Sequence, residues 1–276
     1  MTKIQEYINE LKEKSDKRFD DFDIIEIDNI NSILDKAYID KPTWLGGDKE
    51  FVCLFIDLDK SSKKSFKKHP KTMAKIYDYF TQNIVDVLNH PTIGADYIDI
   101  KGDGAFGVFG GDQASFKAFY CAITFKTLFE EKIKNKFGTE EESLGCKIGI
   151  HKDKVLVRRI GKRGEGNYNE VWAGKLVNNA SKLASQKIEP SNLGVFDQNL
   201  IFVSDKVYKD FEDNEEFGLY RCCDVSSEES VSIINQKVPV FTRVEEPSEE
   251  TLGDCFYKTD VRWCNKCADK YIDLIR

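Results

Sequence analysis

The chain has no run of about twenty apolar residues, so nothing in it reads as a membrane-spanning helix. Its first twenty residues are dense in Lys, Glu and Asp and lack the apolar centre of a secretory leader, so the expected location is cytoplasmic. An excess of positive charge is missing too. The 41 basic side chains are outnumbered by 48 acidic ones, for a formal net charge of −7. That excludes a protein that coats nucleic acid through a basic face, but local cations or metals can still draw in a small anion. Internal repeats and low-complexity tracts are absent. With 41% hydrophobic and 32% charged residues the composition is that of a globular chain, and 276 residues suffice for one large or two small buried cores.

Among the eight cysteines, Cys53, Cys121 and Cys146 lie in apolar segments and read as small buried hydrophobes. Cys264 and Cys267 form a Cys-x-x-Cys, with Cys255, Cys222 and Cys223 as conceivable partners in a four-thiolate zinc site. A second such pair is lacking, which favours reduced, unligated thiols. Disulfides are the reading least suited to a cytosolic chain.

Hydrophobic spacing organises the remainder. Ile4, Tyr7, Ile8 and Leu11 recur at helical intervals within residues 2–19, and Trp44 to Asp48 reads as a loop. Helices are expected over 70–90, 114–137 and 174–186. A hairpin is expected over 97–109, and two strands, 146–151 and 154–160, are expected around a turn at Lys152 and Asp153. Further β-rich pieces fall at 200–203, 217–221 and 232–242. A polar break near residue 246 precedes a helical tail bearing Trp263 and the cysteine pair. This order predicts an α+β fold, an antiparallel sheet with helices packed over it, divided as 1–50, 51–245 and 246–276.

Two acids carry the chemistry. Asp57 lies near the end of the apolar run Phe51 to Asp59, and a run of β-formers ending in an acid presents a carboxylate at a strand tip. Asp103 sits in a Lys-Gly-Asp-Gly turn between two β-rich runs, a tight-hairpin signal that projects a second carboxylate beside the first. Either acid alone is most often a solvated turn residue. As a pair they suit two hard divalent ions that clamp the attacking and leaving oxygens of a phosphoryl transfer.

Taken in order, FIDLDKSS, IKGDGAFGVF, Cys146 to His151, Val155 to Gly161 and Glu170 to Ala184 resemble the catalytic domain of class III nucleotidyl cyclases. Within that group the segment VWAGKLVNNASKLA and the layout of the chain are most similar to the bacterial Pycsar pyrimidine cyclases, which make cyclic UMP or cyclic CMP during phage infection. The resemblance spans about residues 50–245 and implies a ferredoxin-like core. It also implies a homodimer with active sites at the interface, two manganese or magnesium ions, and a separate effector that senses the cyclic nucleotide.

The resemblance assigns residues as follows. Asp57 and Asp103 would be the shared metal ligands, with the Leu58 backbone carbonyl completing one shell. Asn178 would orient the ribose, and Lys182, where the family carries Arg, would stabilise the transition state. Lysine keeps the charge but loses the bidentate fork. Arg158 and Arg159 follow a strand, so at most one of them faces the triphosphate. Lys60 to Lys64 would be either a phosphate cradle or a solvated basic turn. Base choice falls to Asp99, four residues before Asp103, where adenylate cyclases have lysine and guanylate cyclases glutamate. A carboxylate only accepts hydrogen bonds, so it suits uracil N3–H, the cytosine amino group or the guanine edge and disfavours adenine. Val171, at the second base-reading position, does not complete a guanine code. The expected substrate is UTP, with CTP second, a purine triphosphate third, and a catalytically dead nucleotide-binding module as the reading from another class.

Overall fold

Side chains alternate from Phe51 to Asp59. Val52, Leu54, Ile56 and Leu58 are buried in the main hydrophobic core, so Cys53, Phe55, Asp57 and Asp59 face the other side of the sheet. This places a carboxylate on a strand that the core holds from behind. The computed structural model describes residues 2–33, 43–59, 61, 69–136, 144–161, 166, 168–186, 200–221, 239–245, 255–264 and 267–275. It divides into two units, one comprising 51–153 with 176–276, the other 1–50 with 154–175.

In the larger unit, the second part of β2 (Thr43–Asp59) is followed by α2 (Pro70–Leu88), β3 (Tyr97–Lys101), β4 (Gly104–Phe109) and α3 (Ala114–Leu128). Then come β5 (Gly145–Gly161), α4 (Leu176–Ala184), β7 (Ile201–Ser204), α5 (Asp205–Glu212), β8 (Thr242–Glu245), β9 (Cys255–Thr259) and α6 (Ala268–Asp273). The strand order is β3-β4-β2-β5-β7-β9-β8. The pairs β2·β4, β3·β4, β7·β9 and β8·β9 are antiparallel and β5·β7 is parallel, so the sheet is mixed but mostly antiparallel.

Pro70 starts α2 where its missing N–H costs nothing, with His69 as the capping residue, and Met73, Ile76, Phe80 and Ile84 enter the core. Eleven of the fifteen residues of α3 are buried and none is exposed, as expected of a helix enclosed on most sides. Phe116, Phe119, Phe211 and Phe241 interlock edge to face or tilted between α3, α5 and the approach to β8. α4 packs against the opposite face, where Leu183 meets Phe202 and Phe256. It comes so close to β5 that a Cβ at Gly149 would stand 2.1 Å from the Ala180 carbonyl oxygen.

The smaller unit holds α1 (Lys3–Asp20), β1 (Asp23–Glu26), the first part of β2, the last part of β5 and β6 (Tyr168–Ala173). No residue of α1 is buried, and Ile4, Tyr7, Ile8 and Leu11 are exposed.

Several expectations change. Trp44 to Asp48 is not a loop but part of β2, held by parallel pairing with β1 from Asp23↔Thr43 to Glu26↔Gly46. β5 runs unbroken through Lys152 and Asp153, where a turn was expected. Lys152 is 2.8 Å from Asp210, and Lys206 is 3.3 Å from Asp153, so tertiary ion pairs hold polar residues in extended backbone. The tail is not purely helical. Cys255 to Thr259 forms a strand that pairs on both sides, with β7 and β8. Between 217 and 221 there is only a short 3-10 turn ending at Phe217 and a bridge from Tyr220 to Pro239, and residues 232–238 lie outside the described residues.

Candidate active site

β3 and β4 are joined by the two-residue turn Gly102-Asp103, with Lys101 paired to Gly104. The adjoining ladder sets Ile56 opposite Ala105, which brings Asp57 beside Gly104. Only glycine fits there. A Cβ on Gly104 would stand 2.5 Å from the Ile56 carbonyl oxygen and 2.9 Å from Asp57 Oδ1. Its absence opens the space into which the two carboxylates converge.

The electrostatics of Asp57 record that convergence. Burial holds its carboxyl above the ordinary carboxylate range, and the neighbouring Asp103 charge pushes it further up. Lys147 and a hydrogen bond from the Leu58 backbone N–H act the other way. Lys147 lies 3.5 Å from Asp59 Oδ1 on the same face of the sheet, a neighbour that sequence reasoning missed. Asp103 Oδ2 is buried with no hydrogen-bond partner. A buried, unsatisfied carboxylate oxygen next to a second carboxylate is a poor arrangement for the protein alone and a good one for a hard cation. The acid pair therefore fits the divalent ions expected from the sequence. It remains a pair, because among the described residues no three His, Cys, Asp or Glu side chains gather into a metal-holding group.

Asp99 also lies on this face. It pairs across the ladder with Phe106, which in turn pairs with Phe55 of β2. Its Oδ2 is buried and forms no hydrogen bond of good geometry, and its charge is met by a residue the sequence reading passed over, Lys101, whose ammonium lies 2.8 Å away as an ion pair.

Asn178 and Lys182 project from the side of α4 turned away from its buried residues Leu176, Ala180 and Leu183. Asn178 is exposed and Lys182 half-buried. The buried Asn179 fixes the helix to β5 through a 3.4 Å contact with His151 Nε2. The charges acting on Asp57 come from Asp103, Lys147 and Asp59, not from Lys182.

Arg158 and Arg159 belong to the smaller unit, where they pair with Val171 and Glu170 on β6. Arg159 is committed within that hairpin. Its Nε is 2.5 Å from Glu170 Oε1, and its guanidinium lies 4.9 Å from the Tyr168 ring centre. Arg158 points to the opposite face by strand alternation. Lys60 and residues 62–68, which include the suggested phosphate loop, lie outside the described residues. Cys255 does not assemble with Cys264 and Cys267 into a metal group, and Cys222 and Cys223 also lie outside the described residues.

Residues 48–217 match the adenylate and guanylate cyclase catalytic domain family. The chain belongs to this family. The cyclase is 28% identical over 230 residues to a protein of Propioniciclava tarda named uridylate cyclase, covering 82% of this chain and 68% of that one. It is 31% identical over 141 residues to a uridylate cyclase of Micromonospora echinofusca, covering 50% of this chain and 46% of that one. The matched stretches thus span about two thirds of the first relative and less than half of the second. The guanylyl cyclase Cya2 shares its fold, with a TM-score of 0.54 at 19% identity over 78% of this chain and 93% of that one. The family match takes in Asp57, Asp99, Asp103 and α4, and it ends before β8, β9 and α6. Among the described residues no helix is long and apolar enough to cross a membrane.

Proposed function

We propose that this cyclase converts UTP to 3′,5′-cyclic UMP and pyrophosphate. The carrying observation is the Asp57–Asp103 pair, with its buried, unsatisfied oxygen, inside a span that matches the cyclase family. The relatives named uridylate cyclase support the choice of base.

In this reaction the ribose 3′-oxygen attacks the α-phosphorus, the bond from that phosphorus to the bridging oxygen breaks, pyrophosphate departs, and the hydroxyl proton passes to solvent water or to the departing pyrophosphate. Two divalent ions held by Asp57, Asp103 and the Leu58 carbonyl would supply activation of the 3′-hydroxyl and neutralisation of the triphosphate. The protein's own groups do the rest. Asn178 fixes the ribose so that the 3′-oxygen lies in line. Lys182 sets a positive charge against the charge that grows on the α-phosphate. Asp99 accepts the uracil N3–H. Of the two arginines that the resemblance offers for the triphosphate, Arg159 is held by Glu170, which favours Arg158 in that role.

The outward-facing position of Asn178 and Lys182 supports a site completed by a second copy, with α4 of one protomer meeting the acid pair of its partner. The Pycsar resemblance extends the proposal to a cytoplasmic second-messenger role in antiphage defence, with manganese or magnesium and a separate effector.

The test is product identification. Purified protein would be given equimolar UTP, CTP, ATP and GTP with manganese, and the products separated by chromatography with mass detection. Cyclic UMP should dominate. Dominant cyclic CMP would overturn the base, dominant cyclic GMP the pyrimidine assignment, and no cyclic product at all the enzyme reading.

A further inference from the structure

Cys264 and Cys267 take no part in the proposed reaction, and the cyclase match ends well before them, at residue 217. Both are thiols in the structure. Anchors on either side fix the segment that carries them. Trp263, next to Cys264, is tied to α3 by two hydrogen bonds: its backbone N–H donates to Thr127 Oγ1 at 3.0 Å and its indole Nε1–H to Thr124 Oγ1 at 2.7 Å. On the other side α6 begins at Ala268, and its Tyr271 ring packs against Tyr120 of α3 and against Trp263. Between these anchors the Cys267 and Ala268 backbone N–H groups both donate to the Cys264 carbonyl oxygen, each at 3.0 Å. A four-residue span closed in this way holds its first and fourth Cα atoms within about 7 Å. A disulfide needs about 4.4–6.8 Å. The two sulfurs are thus kept near bridging range by the fold as well as by their spacing in the chain.

The other described cysteines are differently placed. Cys53, Cys121 and Cys146 are wholly buried, and burial pushes the Cys53 and Cys121 thiols up, away from ionisation at neutral pH. Cys255 is buried as well. Cys264 and Cys267 are only half-buried, and both line the cavity walled by Tyr120, Trp263 and Tyr271. Partial exposure is what a reacting thiol needs and a structural one lacks.

We propose that Cys264 and Cys267 form a redox modification site, a dithiol that a peroxide converts to an internal disulfide and that a small thiol restores. One thiolate attacks a peroxide oxygen, the O–O bond breaks, and a sulfenic acid and hydroxide form. The second thiolate attacks the sulfenic sulfur, the S–S bond forms, and a second hydroxide leaves. With the two thiol protons the hydroxides become two waters. Two equivalents of a small thiol then return the pair to its reduced form and are themselves oxidised to a disulfide. A transient bridge of this kind suits the cytoplasmic setting proposed above, where permanent disulfides are rare. None of these groups belongs to the acid pair or to α4, so the site stands whether or not the chain cyclises UTP.

The test treats whole, reduced wild-type protein with hydrogen peroxide, then quenches with acid, alkylates the remaining thiols and digests with trypsin without reduction. Cleavage after Arg262, Lys266 and Lys270 puts the two cysteines on separate peptides, 263–266 and 267–270, so a bridge appears by mass as that pair joined. The joined pair should be the main oxidised product and should vanish on addition of dithiothreitol, while peptides holding Cys53, Cys121 and Cys146 stay unoxidised. Equilibrated with reduced and oxidised glutathione, the folded protein should close the bridge at least about tenfold more favourably than the same chain in guanidinium chloride, because the anchors raise the effective concentration of one thiol at the other. Sulfinic acids or mixed disulfides on separate peptides, a bridge to Cys222 or Cys223 in place of the pair, or equal closing constants in the folded and denatured chain would each overturn the proposal.

Discussion

The acid pair and the Asn178–Lys182 helix face are built in opposite ways. Asp57 rides on a strand whose alternate residues are locked in the main core, and Asp103 sits in a two-residue turn set by the β3–β4 register. Both carboxylates are drawn into a confined space where they repel each other. Asn178 and Lys182, by contrast, stand on the outer side of a nine-residue helix whose inner side is anchored by Leu183, Gly149 and the Asn179–His151 contact. One half is preorganised and strained. The other is fixed in direction but opens outward. That contrast is what the proposed shared site would require, with a rigid half to hold metal and a half open to a partner.

The largest effect that could break this comparison is loss of either acid. Asp57→Ala or Asp103→Ala should lower turnover about a thousandfold or more, because metal-borne charge stabilisation is worth several kcal/mol. Circular dichroism should stay native, and manganese binding measured by calorimetry should disappear. A folded Asp57→Ala protein with near-normal turnover would mean the pair is only a surface feature.

On the other half, Asn178→Ala and Lys182→Ala should each reduce kcat about 10²- to 10³-fold while manganese binding is retained, the range for removing one preorganised transition-state group. Loss of metal affinity in these variants would erase the division between the halves. Lys182→Arg should keep at least a tenth of wild-type activity by this reasoning, because the charge survives and the family pattern is restored.

A smaller effect concerns stability. The folded-state pKa of Asp57 is raised, so its charge destabilises the metal-free fold at neutral pH. The sign follows directly. The penalty is absent at pH values low enough to protonate Asp57 even in the unfolded chain, and it develops fully as pH rises through the folded-state value. Asp57→Asn in the presence of EDTA should therefore melt higher than wild type at pH 7. The gain should fade toward pH 3. Asn178→Ala should show no such gain. A lower melting temperature for Asp57→Asn under these conditions would contradict the strained-acid account.

Much of this contrast was legible in the sequence, and the missing parts share a physical cause. Alternation along Phe51 to Asp59 and the Gly-Asp turn are local signals, so Asp57 and Asp103 could be placed side by side before any coordinates. Four-residue spacing likewise put Asn178 and Lys182 on one helix side. Lys147 was not seen, because it matters through Asp59 on the neighbouring strand, whereas Lys101, which meets Asp99 two positions away on the same side of β3, could have been found from strand alternation. The continuity of β5 was missed for a related reason. Lys152 and Asp153 look like a turn locally and are held straight by Asp210 and Lys206, more than fifty positions away in the chain. The strand at Cys255 to Thr259 was hidden by its polar surroundings and shows itself only where β7 and β8 offer it partners.

Subunit mixing tests the shared-site account most directly. Asp57→Ala protein retains Asn178, and Asn178→Ala protein retains the acid pair, so each is nearly inactive alone. After verified subunit exchange, every heterodimer would contain one site with Asp57 and Asn178 both intact, and activity should return to about half the wild-type value per heterodimer. Mixtures that exchange subunits fully yet stay as inactive as the separate variants would show that the acid pair and α4 do not meet across an interface.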